Sequence, residues 1–119
     1  MGSNELGAWG EERAADYLRL RGYKIVARNC RYRQGEIDIV AKKREYIVFV
    51  EVKLRKNSDF GEAREFVTRS KQQKCIAAAQ QWLAQNETEL QPRFDVIEVY
   101  APDGIFSPVR INHIENAFM

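Results

Sequence analysis

Asp38 and Glu51 interrupt two stretches that are otherwise almost wholly apolar, Glu36-Ile37-Asp38-Ile39-Val40-Ala41 and Tyr46-Ile47-Val48-Phe49-Val50-Glu51-Val52-Lys53. A strand of that composition seldom keeps a carboxylate for stability, because burying an unpaired charge is costly. Side chains alternate along a strand, so Glu36 and Asp38 are expected on one face of the first, and Glu51 and Lys53 on one face of the second. The polar stretch Lys42 to Glu45 between them is short enough for a hairpin, which makes the strands neighbours and lets Asp38 and Glu51 converge on one divalent cation. Mg²⁺ takes oxygen ligands and keeps several waters, so two carboxylates and the backbone carbonyl of Val52 make a sufficient set. Lys53, on the same face as Glu51, would then orient or deprotonate an attacking water, the chemistry of metal-assisted hydrolysis. Each piece has a plainer reading. Asp38 would be satisfied by backbone amides near a turn, and Glu51 with Lys53 would be an ion pair on an edge strand. The combination of an Asp, a spacer and Glu-x-Lys on adjacent apolar strands favours the metal site.

These residues need elements to hold them. Ser3 or Asn4 caps a helix from about Glu5 to Arg21, with Gly22 as its stop; Leu6, Gly7, Ala14, Tyr17 and Leu18 share one side, and Glu11 falls on that apolar side, placed to join the strand acids. Tyr23 to Arg28 alternates as a half-exposed strand, followed by a polar turn from Arg31 to Gly35. After the acidic hairpin, Asn57 to Gly61 is a loop, and Thr68 caps a long helix to about Asn86 with Cys75, Ile76, Ala79, Trp82 and Leu83 facing a core. Phe94 to Tyr100 is a fourth strand, Pro102-Asp103-Gly104 a turn, and a last strand lies near Ile105 to Ile111. The order helix, three strands, helix, two strands predicts an α/β fold. Its mixed sheet has the third and fourth strands parallel across the helical crossover.

The chain has 119 residues, the size of one domain, and 1–119 reads as a single unit. About two-thirds of its surface can be buried, enough for a core without disulfides. With 45% hydrophobic and 30% charged residues it is not a disordered, collagen-like or coiled-coil chain. Apolar runs are short and end in charges, which argues against a membrane span, and no segment reads as a signal peptide. Cys30 and Cys75 form neither a CxxC pair nor a disulfide framework, and read as buried or half-buried thiols in a reducing, cytoplasmic setting. His113 is the one histidine and lies near the C-terminus, so Cys–His catalysis is disfavoured. The net charge of +2 permits nucleic acid as a partner without announcing it.

The blocks Gly10-Glu11, Ala14-Ala15, Tyr17-Leu18, Gly22-Tyr23, Arg28-Asn29, Gly35 to Ala41, Phe49 to Lys53, Phe60-Gly61, Val67 with Lys71, and Phe94-Asp95-Val96 resemble the bacterial YraN family in order and spacing over nearly the whole chain. That group of predicted endonucleases is placed in the PD-(D/E)XK, restriction-endonuclease-like superfamily and is similar to archaeal Holliday junction resolvases. The resemblance implies a restriction-endonuclease-like sheet of about five strands. It also implies Asp38, Glu51 and Lys53 as the catalytic core, Glu11 as the helix-borne acid, and Mg²⁺ or Mn²⁺ as cofactor. The superfamily's "PD" dipeptide here reads Ile37-Asp38. Glu36 before it stays open between a metal ligand, a residue that steers a ligand, and turn chemistry.

Basic residues flank the acids. Arg28, Arg31 and Arg33 precede the first acidic strand, Arg55 and Lys56 follow Lys53, and Lys71 stands among the basic residues that open the second long helix. Positive charge there holds phosphates while the carboxylates hold the cation, so these six are the expected nucleic-acid contacts. For Lys42, Lys43 and Arg44 in the hairpin turn a solvated rim is as good a reading. Tyr32, Tyr46, Trp82 and Trp9 read as packing in preference to base stacking. The expectation is a metal-dependent endonuclease acting on DNA more readily than RNA, on branched or structured DNA, as a homodimer. The rival is a nucleic-acid-binding module on the same scaffold without turnover.

Overall fold

Residues 3–55, 67–100 and 110–118 are described in the computed structural model, and its first element follows from helical spacing. Ala14 and Leu18 recur four apart on one face of helix α1 (Ser3–Leu20) and are fully buried with Ala15. Ser3 and Asn4 are themselves helical, so α1 begins earlier than the expected Glu5. It ends where expected. Gly22 takes φ +86°, Gly22 N–H donates to Arg19 O at 3.1 Å and Tyr23 N–H to Leu18 O at 3.0 Å, a Schellman closure that only a residue at ease in the left-handed region supplies cheaply.

Strands β1 (Lys24–Tyr32), β2 (Gly35–Lys43) and β3 (Tyr46–Arg55) then pair antiparallel in succession. Helix α2 (Arg69–Gln85) follows, capped by Thr68, whose Oγ1 accepts from Lys71 N at 3.2 Å, and closed by Asn86, the bounds its sequence implied. It carries the chain to β4 (Gln91–Tyr100), which lies parallel to β3 from Tyr46↔Gln91 to Arg55↔Tyr100. Strand β5 (Arg110–Ile114) pairs antiparallel with β4 as far as Val96↔Ile114 and so ends three residues later than expected, with Ile111 and Ile114 on opposite faces of the sheet. The expected loop Asn57 to Gly61, the turn Pro102 to Gly104 and the segment 105–109 lie outside the described residues. The chain is therefore α/β, with one mixed sheet in the order β1-β2-β3-β4-β5. Among the described residues no helix is long and apolar enough to cross a membrane.

Each face of the sheet carries a helix. Ala14, Ala15 and Leu18 of α1 pack on Ile39, Ala41, Val48, Val50, Ile97 and Val99. Cys75, Ala78, Ala79 and Trp82 of α2 pack on Ile37, Val40, Ile47, Phe49, Phe94 and Val96, where Phe49 stacks on Phe94 and meets Trp82 edge-on. Ile76 and Leu83, expected to face the core, are only partly buried against it. α2 lies so close to the β1–β2 turn that a Cβ on Gly35 would come within 2.5 Å of the Lys74 carbonyl oxygen. Gly35 thus sets how near the first turns of α2 come to the acidic strands. Gly35→Ala is expected to destabilise the fold by about 1–3 kcal/mol through backbone displacement, measured as a lower urea midpoint; an unchanged midpoint would contradict this packing.

Candidate functional site

The acidic hairpin is regular until it reaches the acids. Pairing of β2 with β3 runs from Lys43↔Tyr46 to Ile39↔Val50. At the next step, the Val52 N–H donates at 2.8 Å to Oδ2 of Asp38 instead of to a strand carbonyl. The alternation of faces breaks at the same place. Ile37 packs on the α2 side and Ile39 on the α1 side, although residues two apart in a strand share a face. On β1, between Arg28↔Ile39 and Cys30↔Ile37, stands Asn29 with φ 51°, a conformation Asn tolerates better than most residues. Both strands therefore turn over at the Asn29–Asp38 level. Glu36 and Asp38, expected on one face, still line one cleft together, and Glu36 borders a second cleft as well.

Two clefts adjoin here. One, on the α1 side, is lined by Glu11, Arg28, Asn29, Asp38 and Val52, and the other, on the α2 side, by Arg33, Glu51, Lys71 and Lys74; Arg31 and Glu36 border both. Asp38 and Glu51 thus sit on adjacent strands but line neighbouring clefts. They are near enough to interact: burial pushes the Asp38 carboxyl up, and with the charge of Glu51 added it reaches about 7. The charges of Glu11 and Glu36 raise it further. Among the described residues Asp38 is in no ion pair.

The other acids are engaged. Glu51, buried, receives Lys71 Nζ on Oε1 at 2.6 Å, and Lys53 Nζ lies 3.9 Å from the same oxygen. Burial and the neighbouring Lys71 charge push the Lys53 ammonium down to about 8, which brings its proton within reach of near-neutral chemistry. Burial works against the Lys71 ammonium too, but its bond to Glu51 leaves it raised on balance. Glu11 Oε1 accepts from Arg28 Nε at 3.2 Å and from Asn29 Nδ2 at 3.0 Å, and Arg28 also holds Glu12 at 2.7 Å. Glu36 is exposed and pairs with Arg31 at 3.6 Å.

Of the expected phosphate contacts, Arg31, Arg33 and Lys71 border the α2-side cleft, with Lys74 joining them. Arg28 lines the other cleft but is committed to Glu11 and Glu12. Arg55 is turned to the fully buried Glu98, at 3.2 Å, and not to the cleft. Lys56 lies outside the described residues. Among the described residues no three His, Cys, Asp or Glu side chains cluster as a metal cage. A carboxylate pair fits a hard cation that keeps its waters, and the raised Asp38 acid, half-buried beside a second acid, is where a divalent charge would relieve repulsion. The thiols are unsuited to nucleophilic work, since burial pushes Cys75 up to about 12 and raises Cys30.

Two buried acids escaped the sequence reading. Asp95 is bonded by Arg93 at 2.9 and 2.8 Å, by His113 Nε2 at 2.7 Å and by the Asn116 N–H at 3.0 Å; burial opposes its charge, but these bonds hold the carboxyl below its usual range. Glu98 accepts from Arg55, Tyr100 Oη and Asn112 Nδ2. The signal was the one that exposed Asp38 and Glu51, an acid inside an apolar strand, in Phe94-Asp95-Val96-Ile97-Glu98-Val99.

A family model described as uncharacterised protein family UPF0102 matches residues 10–99. A UPF0102 protein of Caldanaerobacter subterraneus is 46% identical over 95% of this chain and 93% of its own length. One of Clostridioides difficile is 45% identical over 99% and 100%, and one of Flavobacterium psychrophilum 38% over 97% and 94%.

Because Asp38 titrates higher folded than unfolded, the native chain holds its proton more tightly; the stability this gives is present below about pH 4 and is lost as the pH rises through 7. In metal-free buffer, Asp38→Asn, whose amide oxygen still accepts from Val52, is expected to raise the urea midpoint over wild type near pH 8 and to shift it much less near pH 4. Equal shifts at both would contradict an unpaired charge at this position.

Proposed function

This chain belongs to the UPF0102 family, the YraN family, and from that premise we propose that it is a metal-dependent endonuclease hydrolysing phosphodiester bonds in DNA, with branched or structured DNA as substrate. The observation that carries the reading is the state of Asp38. Among the described residues it is the acid of β2 and β3 without an ion pair, half-buried, raised to about 7, and set beside Glu51 where the strand ladder gives out. Asp38, Glu51 and the Val52 carbonyl are the residues that would hold Mg²⁺ or Mn²⁺, with Glu11 and Glu36 in reserve. The bound ion supplies Lewis-acid charge at the phosphate.

The chain's own residues do the rest. Lys53, with its ammonium brought down to about 8, holds or releases a proton at Nζ beside Glu51. Arg31, Arg33, Lys71 and Lys74, along the α2-side cleft of about 550 Å³, bind and orient the phosphates of the strand. A junction has two-fold character, so two copies would act on it together.

One observation favours a second reading, a nucleic-acid-binding module without turnover. Glu11 and Glu51 are already neutralised, by Arg28 and Lys71. Wild type, Asp38→Asn and Glu51→Gln are to be incubated with labelled linear, single-stranded, flap and four-way-junction DNA in Mg²⁺, Mn²⁺ or EDTA. The expected outcome is metal-dependent cutting by wild type, reduced at least about 100-fold in both variants while gel retention persists. Retention without cutting by wild type in either metal would establish the binding module instead.

A further inference from the structure

We propose that Lys71 competes with the cation for Glu51, so that ammonium and metal ion occupy that carboxylate alternately. The inference rests on the reading of Asp38 and Glu51 as a metal centre and concerns how that centre is filled. Glu51 has a side chain only 7% exposed, and a carboxylate so far from water needs a positive partner at all times. Lys71 is that partner, with Nζ 2.6 Å from Oε1, the oxygen that Lys53 also approaches at 3.9 Å. A divalent ion on Glu51 would stand against two ammonium groups at contact distance, and of the two Lys71 is the one with room to leave.

Its exit is built in. Lys71 is in the first turn of α2, 44% exposed in its side chain, on the wall of the cleft shared with Arg31, Arg33 and Lys74. Lys53, on the central strand β3, is only 23% exposed and so less free to swing away. A phosphate in that cleft offers the Lys71 ammonium a second anion, so substrate draws the lysine away from Glu51 as it arrives. Metal and nucleic acid then bind cooperatively through one side chain that changes partner. Without substrate, the carboxylate stays neutralised.

Titration of the full-length protein with MnCl₂, followed calorimetrically and by loss of the free-ion electron spin resonance signal, tests this without any cleavage assay. Lys71→Met is expected to bind Mn²⁺ at least about tenfold more tightly than wild type. Lys74→Met removes the same charge from the same cleft without touching Glu51, and is expected to stay within about threefold of wild type. Lys71→Gln, which keeps a donor for Glu51 but no charge, gives the same comparison should the Met variant melt early. Equal affinities for wild type and Lys71→Met, or equal gains from the Lys71 and Lys74 changes, would overturn the competition while leaving the metal centre standing. Absence of Mn²⁺ binding in wild type and both Lys71 variants, or binding indifferent to Asp38→Asn, would overturn the metal centre and the competition with it.

Discussion

One hydrogen bond organises the acidic end of this sheet, that from the Val52 N–H to the Asp38 carboxylate. In a regular hairpin the ladder between β2 and β3 would continue past Ile39↔Val50, and the acids would project from a flat surface. Instead the side chain takes the place of a strand carbonyl and satisfies an interior amide. The β1–β2 tip turns over at Asn29 and Asp38, so that Ile37 and Tyr32 reach the α2 core. The two clefts, the shared Arg31–Glu36 border and the approach of α2 at Gly35 all follow from that turn.

The acids of the apolar strands differ in what neutralises them. Asp95 and Glu98 are closed systems: Arg93, His113 and Asn116 surround one, and Arg55, Tyr100 and Asn112 the other. Both fasten elements together: around Asp95, Tyr17 of α1 reaches His113 at 3.2 Å and Tyr23 binds Arg93 at 2.7 Å, while Glu98 of β4 accepts from Arg55 of β3 and Asn112 of β5. Glu51 is held by a lysine with an exposed path of departure. Asp38 is held by a neutral amide alone among the described residues, and its raised titration records the cost. A fold that needed Asp38 only for its amide bond would be served as well by Asn, which accepts the same bond without the charge.

Much of this was legible in the sequence where the cause is local. The Thr68 cap, the Gly22 stop and the β-branched strands depend on neighbours a few residues away, and the element order and the parallel β3–β4 pairing came with them. The face change at Asn29 was not legible, because nothing in the local alternation marks a left-handed Asn inside a strand, and its side chain bonds Glu11, eighteen residues away. Nor was the fate of Arg55, which depends on the register of β3 against β4 and β5. For Asp38 the plainer reading, a carboxylate satisfied by a backbone amide, is what the structure shows, and burial beside Glu51 raises its carboxyl to about 7 as well. The plainer reading of Glu51 with Lys53 as an edge-strand ion pair gives way to a central strand in which Lys71 is the nearer partner.

The central claim is that Asp38 and Glu51 together bind a divalent cation. A crystal of the metal-loaded protein, with anomalous scattering recorded at the manganese edge, addresses it directly. The account predicts one strong peak within about 2.1 Å of oxygens from both carboxylates and from the Val52 carbonyl, the remaining positions filled by water. Well-ordered carboxylates at saturating Mn²⁺ with no peak between them, and Lys71 still on Glu51, would contradict it.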